Sequence, residues 1–424
     1  MSIAVDLLKE KYMLPIKENP ELYVGVELEF PIVNLAQQAT DTAVAKGLFS
    51  YLAKSDLGFE TEEQDWEGNP VQLVNNSGDR ILFEVSYNIL EFAFAKAKTV
   101  QAVEAKFSAY LKVIQAYLRE RGHELQGLGI HPNWHLNDNS AVRLPRYQML
   151  LAFLDLSKKK RNPFFHSYPQ YGSFICGNQV QLDVSRNNYL KVINAFNKIE
   201  SAKAYLFANS EFSSENWDTK IARDIFWEQS MHGCFQENVG VNSHDFQSEE
   251  DFFAHLAQTA IFTAERKGKS LYFEPIRVVD YLDKKAILAY DIKGKEVEIE
   301  PEQRDLQLHR SYQYQNLTKR GTVEFRSVCT QKMENTFAPT AFHLGLIANL
   351  SKLDQLLADS LFLKKYGSDY RNLRRYFSRK QLAAADHDHI SAFSRQLLEC
   401  AEQGLIKRGY GEEKYLKNHI NSLT

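Results

Sequence analysis

Several short stretches of the chain alternate apolar with polar residues, which is the pattern of strands in an antiparallel sheet. In "YVGVELEF" (23–30), Val24, Val26, Leu28 and Phe30 fall on one side and two glutamates fall on the other. Further strands are predicted at "DRILFEVS" (79–86), "NILEFAFA" (88–95), "FICGNQVQLDVS" (174–185) and "GTVEFRSV" (321–328). The pattern predicts a sheet with one apolar face and one polar face.

Helical periodicity separates and follows these strands. Residues 98–122 place an apolar stripe along one helix face and end at Gly122. Beyond residue 336 strand patterns fade, and 340–366 and 391–410 are predicted to be helical. The predicted fold class is α+β, and residues 1–335 are expected to form a catalytic domain. Residues 336–424 are expected to form a helical C-terminal region packed on that same domain.

Composition and charge narrow the class of partner. Of the 424 residues, 44% are hydrophobic and 25% are charged, as in an ordinary globular protein. The formal net charge is only −3, so no strong field attracts nucleic acid or an anionic membrane. No apolar stretch is long enough to span a membrane, and no secretory signal is recognisable at the N-terminus. We expect a cytoplasmic protein, a monomer or small homo-oligomer, that acts on small molecules.

The polar faces of the strands are unusual because they carry carboxylates and carboxamides. Glu27 and Glu29 alternate on the first strand, Gln179 lies on the fourth, and Glu324 precedes Arg326 on the fifth. For one such strand alone, an antiparallel sheet with one face in water is the favoured explanation. Side chains two residues apart on a strand stand roughly 6.5 to 7 Å apart, so several together can hold Mg²⁺, which prefers oxygen ligands.

Two further glutamates, Glu84 and Glu91, are seven residues apart. This spacing puts them on opposite faces of an unbroken strand, so both reach one site only if "SYN" (86–88) forms a turn or bulge. Two surface glutamates at a hairpin would give the same local pattern. We predict the turn.

Six motifs in order resemble the glutamate–cysteine ligase (γ-glutamylcysteine synthetase) family, over roughly residues 20 to 335. They are "GVELEF", "FEVSYNILEF", "GNQVQLDVS", "LFANSEF", "RDIFW" and "GTVEFRS". "GNQVQLDVS" and "LFANSEF" lean toward the plant-like branch. Many bacterial members have a histidine ligand on the central strand where this chain has Gln179. A carboxamide there favours Mg²⁺ or Mn²⁺ over softer metals.

The resemblance implies a fold like that of glutamine synthetase, a curved, mainly antiparallel half-funnel with outer helices. It also implies ATP as a substrate and a γ-glutamyl phosphate intermediate, which the amine of L-cysteine attacks. The same resemblance gives Arg326 a catalytic role on the transferring phosphoryl group and Arg223 a role in binding glutamate. The implied Mg²⁺ ligands are Glu27, Glu29, Glu84, Glu91, Gln179 and Glu324.

Other functions remain open at the level of the sequence. Another amino acid or amine could replace L-cysteine without any change in the metal site. A divalent-metal phosphodiesterase also gathers carboxylates, but it needs a basic surface for its substrate. An inactive binding module on the same scaffold is the third alternative, although such a module has no chemical reason to keep repelling carboxylates.

Overall fold

The predicted polar and apolar faces belong to one large sheet in a computed structural model that describes residues 3–160 and 162–423. Residues 1, 2, 161 and 424 lie outside this description, including the outer limits of the two predicted regions. The described part has fifteen strands and fifteen α-helices. The mixed α and β architecture with C-terminal helices confirms the predicted fold class.

The strands follow the alternating stretches closely. Their bounds are β1 Val24–Asn34, β2 Phe59–Gln64, β3 Pro70–Asn75, β4 Arg80–Phe83, β5 Ile89–Ala93, β6 His123–Leu125, β7 Asn178–Asp183, β8 Val239–Gly240, β9 Ala260–Arg266, β10 Lys269–Arg277, β11 Ile287–Tyr290, β12 Glu296–Ile299, β13 Tyr312–Gln313, β14 Gln315–Leu317 and β15 Thr322–Phe325. All five predicted strands are present, with β1 extended by four residues beyond the predicted stretch.

The helices are α1 Ile3–Met13, α2 Thr42–Leu52, α3 Val100–Arg119, α4 Pro145–Asp155, α5 Tyr189–Lys198, α6 Glu200–Phe207, α7 Ala222–Glu228, α8 Glu249–Leu256, α9 Val278–Tyr281, α10 Ala338–Ala348, α11 Leu350–Asp359, α12 Leu361–Tyr366, α13 Tyr370–Phe377, α14 Ala384–Arg408 and α15 Lys417–Ser422. The predicted helix over 98–122 is α3, which ends three residues before Gly122.

The principal sheet has nine strands, in the order β14, β15, β7, β1, β5, β4, β3 and β2, with β6 paired to one end of β1. Every pairing in it is antiparallel. A four-stranded antiparallel sheet (β12, β11, β10, β9) and a parallel pair (β13, β8) complete the strands. Strand β1 therefore lies at the centre, between the β4–β5 hairpin and β7.

Helices cover the apolar face of the principal sheet. Phe107 of α3 stacks on Phe30 of β1 at 5.6 Å between ring centroids, and Phe49 of α2 stacks on Phe83 of β4 at 4.0 Å. Phe196 of α5 contacts Phe325 of β15 at 4.4 Å. Burial of these rings fixes the strand register, because a slip of one residue would send the apolar side chains to the other face.

The C-terminal helices pack on the same body. His343 of α10 lies 4.6 Å from the ring of Phe325, and α13 inserts arginines between the sheet and α7. All four cysteines are free thiols, three of them buried. Within residues 3–160 and 162–423, none of the helices has both the length and the apolar character needed to cross a lipid bilayer.

Candidate active site

The centre of the polar face is formed by β1 and its two neighbours. Glu27 lies directly opposite Gln179 of β7, and Glu29 lies directly opposite Glu91 of β5. Like charges placed opposite each other destabilise a sheet. The site is therefore electrostatically unfavourable without additional positive charge.

Amide donors offset part of this charge. The side chain of Gln181 bridges two strands, because its Nε2 lies 2.9 Å from an oxygen of Glu27 and 3.0 Å from an oxygen of Glu324. Glu29 accepts hydrogen bonds from the Gly177 backbone N–H at 2.6 Å and from Gln179 Nε2 at 3.1 Å. Three strands are thereby connected through their polar side chains.

The turn that the sequence requires between Glu84 and Glu91 is present. Strands β4 and β5 form a hairpin, and Val85 adopts a positive φ of 58°, which a β-branched residue rarely does. Leu82 pairs with Glu91, and Glu84 follows Leu82 by two residues with its N–H bonded to the Ile89 carbonyl, so Glu84 and Glu91 lie on the same face. There the Glu84 carboxylate accepts a hydrogen bond of 2.8 Å from Tyr147 of α4. The predicted bulge geometry is confirmed.

Burial raises the pKa of three of the carboxyl groups. It raises the pKa of Glu27 and of Glu29 to about 7, with the neighbouring charges of Glu324 and Glu84 adding to the respective shifts. Burial and the charge of Glu84 together raise the pKa of Glu91 well above its usual range. Each shift reports that the ionised form lacks compensating charge.

Arg326 supplies one of the compensating charges. Burial alone would raise the pKa of Glu324, but the guanidinium of Arg326, 2.7 Å away, holds that pKa below its usual value. Arg326 also lies over the ring of Tyr312, 5.7 Å from its centroid. The guanidinium is thus fixed on the polar face, two residues after Glu324, as the alternation predicts.

Arg223 reaches the same face from α7. Its Nη1 donates to the Val328 carbonyl at 3.0 Å, and the side chain is only 6% exposed. A Cβ atom at position 177 would lie 2.6 Å from Arg223 Nη2 and 3.5 Å from a Glu29 oxygen. Glycine at position 177 is therefore required for the guanidinium to approach Glu29.

A cavity of about 110 Å³ collects these groups. Its polar floor includes Glu29, Glu84, Gln179, Arg223 and Arg326. The opposite wall is mostly apolar and aromatic, and it consists of Leu150, Leu154, Tyr171, Ile175, Trp227, His232 and Tyr312. Residues from five of the six predicted motifs and from four otherwise unrelated segments meet here.

Three buried side chains of this cavity each have one polar atom without a partner in the described part of the chain. They are Gln179 Oε1, Arg223 Nε and His232 Nε2. Buried polar atoms are nearly always hydrogen-bonded, and leaving one unpaired costs roughly 1 to 3 kcal/mol. Three such atoms in one cavity are expected where a ligand completes the hydrogen bonds.

The donor set fits a hard cation. Glu27, Glu29, Glu91 and Glu324 present only oxygen, and the free Oε1 of Gln179 adds a carboxamide oxygen. Among residues 3–160 and 162–423, however, no three Asp, Glu, His or Cys side chains are close enough to hold a metal ion as they stand. Glu27, Glu29 and Glu324 instead accept hydrogen bonds from amide groups or from Arg326. Binding a cation would therefore require these side chains to rotate.

Several residues of the site were not assigned from the sequence. Gln181 shares the polar face with Gln179, two residues before it, but is not among the ligands that the resemblance implies. Tyr171, His232 and Tyr312 come from irregular segments or very short strands, where no periodic pattern indicates which way a side chain points. For these three, the sequence offers no motif.

Comparison with known families decides the classification. The model of glutamate–cysteine ligase family 2 matches residues 23–385, which is most of the chain. The chain belongs to this family. It is thereby an ATP-dependent ligase, in a family that serves glutathione biosynthesis. The predicted resemblance is confirmed, and the match extends past residue 335 into the first four C-terminal helices.

Solved structures resemble this ligase only distantly. A glutamate–cysteine ligase from Francisella tularensis in complex with AMP is 11% identical, with a TM-score of 0.49, covering 96% of this chain and 83% of that one. A bifunctional glutathione synthetase from Pasteurella multocida is also 11% identical, with a TM-score of 0.44, covering 100% of this chain and 50% of that one. No curated protein sequence matches the chain.

Proposed function

We propose that the protein joins the γ-carboxylate of L-glutamate to the amine of L-cysteine, using ATP and Mg²⁺ through a γ-glutamyl phosphate intermediate. The observation that carries the proposal is that Arg223, Arg326, Glu29 and Glu84 line one cavity, with Glu91 directly opposite Glu29 on the next strand. Phosphoryl transfer depends on in-line placement of the reactants and on neutralisation of phosphate oxygens. This set of residues suits those requirements without a protein nucleophile.

Arg223 is assigned to the glutamate substrate. Its unpartnered Nε and its position on the cavity floor leave part of its guanidinium fork for a carboxylate. Arg326 is assigned to the transferring phosphoryl group, because its buried guanidinium lines the cavity and is held in place by Glu324. The two arginines would thus hold opposite ends of the reacting pair.

Glu27, Glu29, Glu84, Glu91, Gln179 and Glu324 are assigned to Mg²⁺. When bound, the ion would offset charge on the phosphate oxygens and on the acceptor carboxylate. The raised pKa values of Glu27 and Glu29 support this assignment, since a cation would supply the charge that these buried carboxylates lack.

A cationic rim at the mouth of the site supports the assignment of a nucleoside triphosphate. Arg310 lines the cavity. It also lines a neighbouring cleft, together with Lys319, Arg320 and Glu324. The three cations are exposed, and none is in an ion pair with any residue of the described chain. Unpaired cations beside the metal-binding carboxylates suit a polyphosphate chain.

We further propose that residues 336–424 belong functionally to the catalytic body. Arg374 of α13 is bonded to Asp224, the neighbour of Arg223, and to the carbonyl of Ser327, the neighbour of Arg326. The helical region thus holds the residues next to Arg223 and Arg326 in place through hydrogen bonds from Arg374.

The test is a substrate panel. Purified protein is incubated with ATP, Mg²⁺ and L-glutamate together with single amino acids or amines, and phosphate release and product mass are measured. Selective turnover with L-cysteine supports the proposal, and turnover with another amine only would replace the acceptor. A protein that releases no phosphate with any amine would refute the ligase assignment.

A further inference from the structure

The wall of the cavity opposite the charged floor is the feature from which we infer how the acceptor is recognised. A γ-carboxyl activated on the floor must be approached by an amine from within the cavity. The acceptor's own side chain then has to lie against the remaining surface, which is apolar and aromatic. This inference rests on the proposed function and concerns its acceptor.

His232 contributes a buried imidazole to that wall. It is 2% exposed, and its ring packs 4.3 Å from Tyr312 and 4.9 Å from Trp227, measured between centroids. Its Nε2 has no partner among the residues that the structure describes. A buried, unpaired hydrogen-bonding atom next to two aromatic rings is a specific feature, because an analogue without the matching group leaves it unpaired.

The hydrogen bond on the other ring nitrogen determines what Nε2 offers. The hydroxyl of Tyr171 lies 2.7 Å from His232 Nδ1 and 3.3 Å from the Ser230 hydroxyl, and Ser230 donates to the Trp227 carbonyl. Burial keeps the pKa of Tyr171 well above its usual range, so its hydroxyl remains a donor. Ser230 also accepts from the His232 backbone N–H. Because the contact of Tyr171 with Nδ1 is much shorter than its contact with Ser230, we assign the Tyr171 proton to Nδ1, and the imidazole proton is then on Nε2.

The wall also excludes charge. Burial lowers the pKa of His232 well below its usual range, and the cations Arg310 and Arg326 lower it further, so the ring is neutral. The same two cations oppose an acceptor with a positively charged side chain. A cavity of this size has room for fewer than about ten water molecules, so it admits a small side chain rather than an aromatic one.

We propose that His232 is a specificity-determining residue that donates a hydrogen bond from Nε2 to the heteroatom of a small, uncharged acceptor side chain, a thiol or a hydroxyl on Cβ. Tyr171 acts as the positioning residue that fixes the imidazole tautomer. The surrounding rings favour the thiol over the hydroxyl, since sulfur makes favourable contacts with aromatic edges and costs less to remove from water.

The experiment compares L-cysteine, L-serine and 2-aminobutyrate, which has a methyl group in place of the thiol. With saturating ATP, Mg²⁺ and L-glutamate, the wild-type kcat/KM is expected to be about 10-fold higher for cysteine than for 2-aminobutyrate. Serine is expected between the two. If serine is instead the best acceptor, the preference for sulfur is wrong and the hydroxyl arm of the proposal stands.

His232→Leu should reduce the ratio of cysteine to 2-aminobutyrate to about 1, because the donor is lost while the apolar wall remains. His232→Gln, whose amide N–H can replace Nε2–H, should restore most of the ratio. The matched control is His255→Leu, because His255 is also buried with an unpartnered Nε2 but lies on α8 outside this cavity. The control should keep the wild-type ratio.

Tyr171→Phe gives a second test that does not depend on the folding of the leucine variant. It should lower the ratio roughly 3-fold, because both tautomers of His232 then become populated. Turnover with an unchanged ratio in His232→Leu or Tyr171→Phe would overturn the inference and leave the ligase function intact. A wild-type protein without turnover on any amine would overturn both.

Discussion

Arg374 provides the most direct test of how the C-terminal helices support the site. It is one of the largest fully buried side chains, and the substitution to test is Arg374→Met, which keeps the length and removes the charge. The guanidinium bonds Glu200 through Nη1 at 2.7 Å and Asp224 through Nε at 2.7 Å and Nη2 at 3.0 Å. Methionine would leave Asp224 without a paired cation, and it would leave Glu200 with Lys203 as its remaining cation.

The cost follows from these contacts. Removing one partner of a buried ion pair costs about 3 to 5 kcal/mol. An unfolding entropy of about 2.1 cal/mol/K per residue gives about 0.9 kcal/mol/K for 424 residues. Dividing the free-energy loss by this entropy, we expect the midpoint of thermal unfolding to fall by about 3 to 6 °C. The turnover number should fall as well, because the residues beside Arg223 and Arg326 lose their anchor.

Calorimetry and denaturant unfolding measure the loss of stability. Arg379→Met is the control, since Arg379 also joins the C-terminal region to the body, through Asp218, but at the exposed surface. Equal stability of the two variants would refute the reasoning.

Four further outcomes are expected. Glu27→Gln should abolish ADP release while the thermal midpoint stays at or above that of the wild type, since removing a repelling buried charge is not destabilising; unchanged turnover would remove Glu27 from the mechanism. Arg326→Ala should lower kcat at least about 100-fold, and the same steady-state assay would expose a smaller role. Arg310→Ala should raise the KM for ATP and weaken its dependence on salt, with the KM for glutamate as the control. Asp65→Asn should lower the free energy of unfolding by about 2 kcal/mol at pH 7. Burial alone would raise the pKa of Asp65, but hydrogen bonds from Asn69, Tyr87 and backbone N–H groups lower this pKa to about 2. The stabilisation by Asp65 is therefore complete above about pH 4 and is lost as the pH falls through 2.

The chain's periodic segments allowed much of the site to be predicted. Glu27, Glu29, Gln179 and Glu324 lie on strands, where side-chain direction alternates by a local rule and identifies the polar face. The hairpin that joins Glu84 to Glu91 follows from the same rule, because their odd spacing demands an irregular turn.

The rest of the site depends on tertiary packing. His232 and Tyr312 are 80 residues apart in the chain and come together only because the turn Met231–Cys234, which follows α7, packs against the short strand β13. Arg374 reaches the site from a C-terminal helix whose sequence pattern indicates only an amphipathic surface. Such long-range contacts leave no periodic pattern in the local sequence, so these residues could not be assigned to the site from the sequence.

The order of strands in the principal sheet has a consequence for synthesis of the chain on the ribosome. Gln179, which bonds Glu29, follows it by 150 residues, and Thr330, which donates to the Glu29 carbonyl, follows it by 301. At a translation rate of 5 to 20 residues per second, β1 waits about 8 to 30 s for β7 and about 15 to 60 s for Thr330. Until β7 is made, the backbone N–H and C=O groups along one edge of β1 lack their partners. A nascent chain stalled before residue 178 is therefore where chaperone binding or aggregation should be greatest.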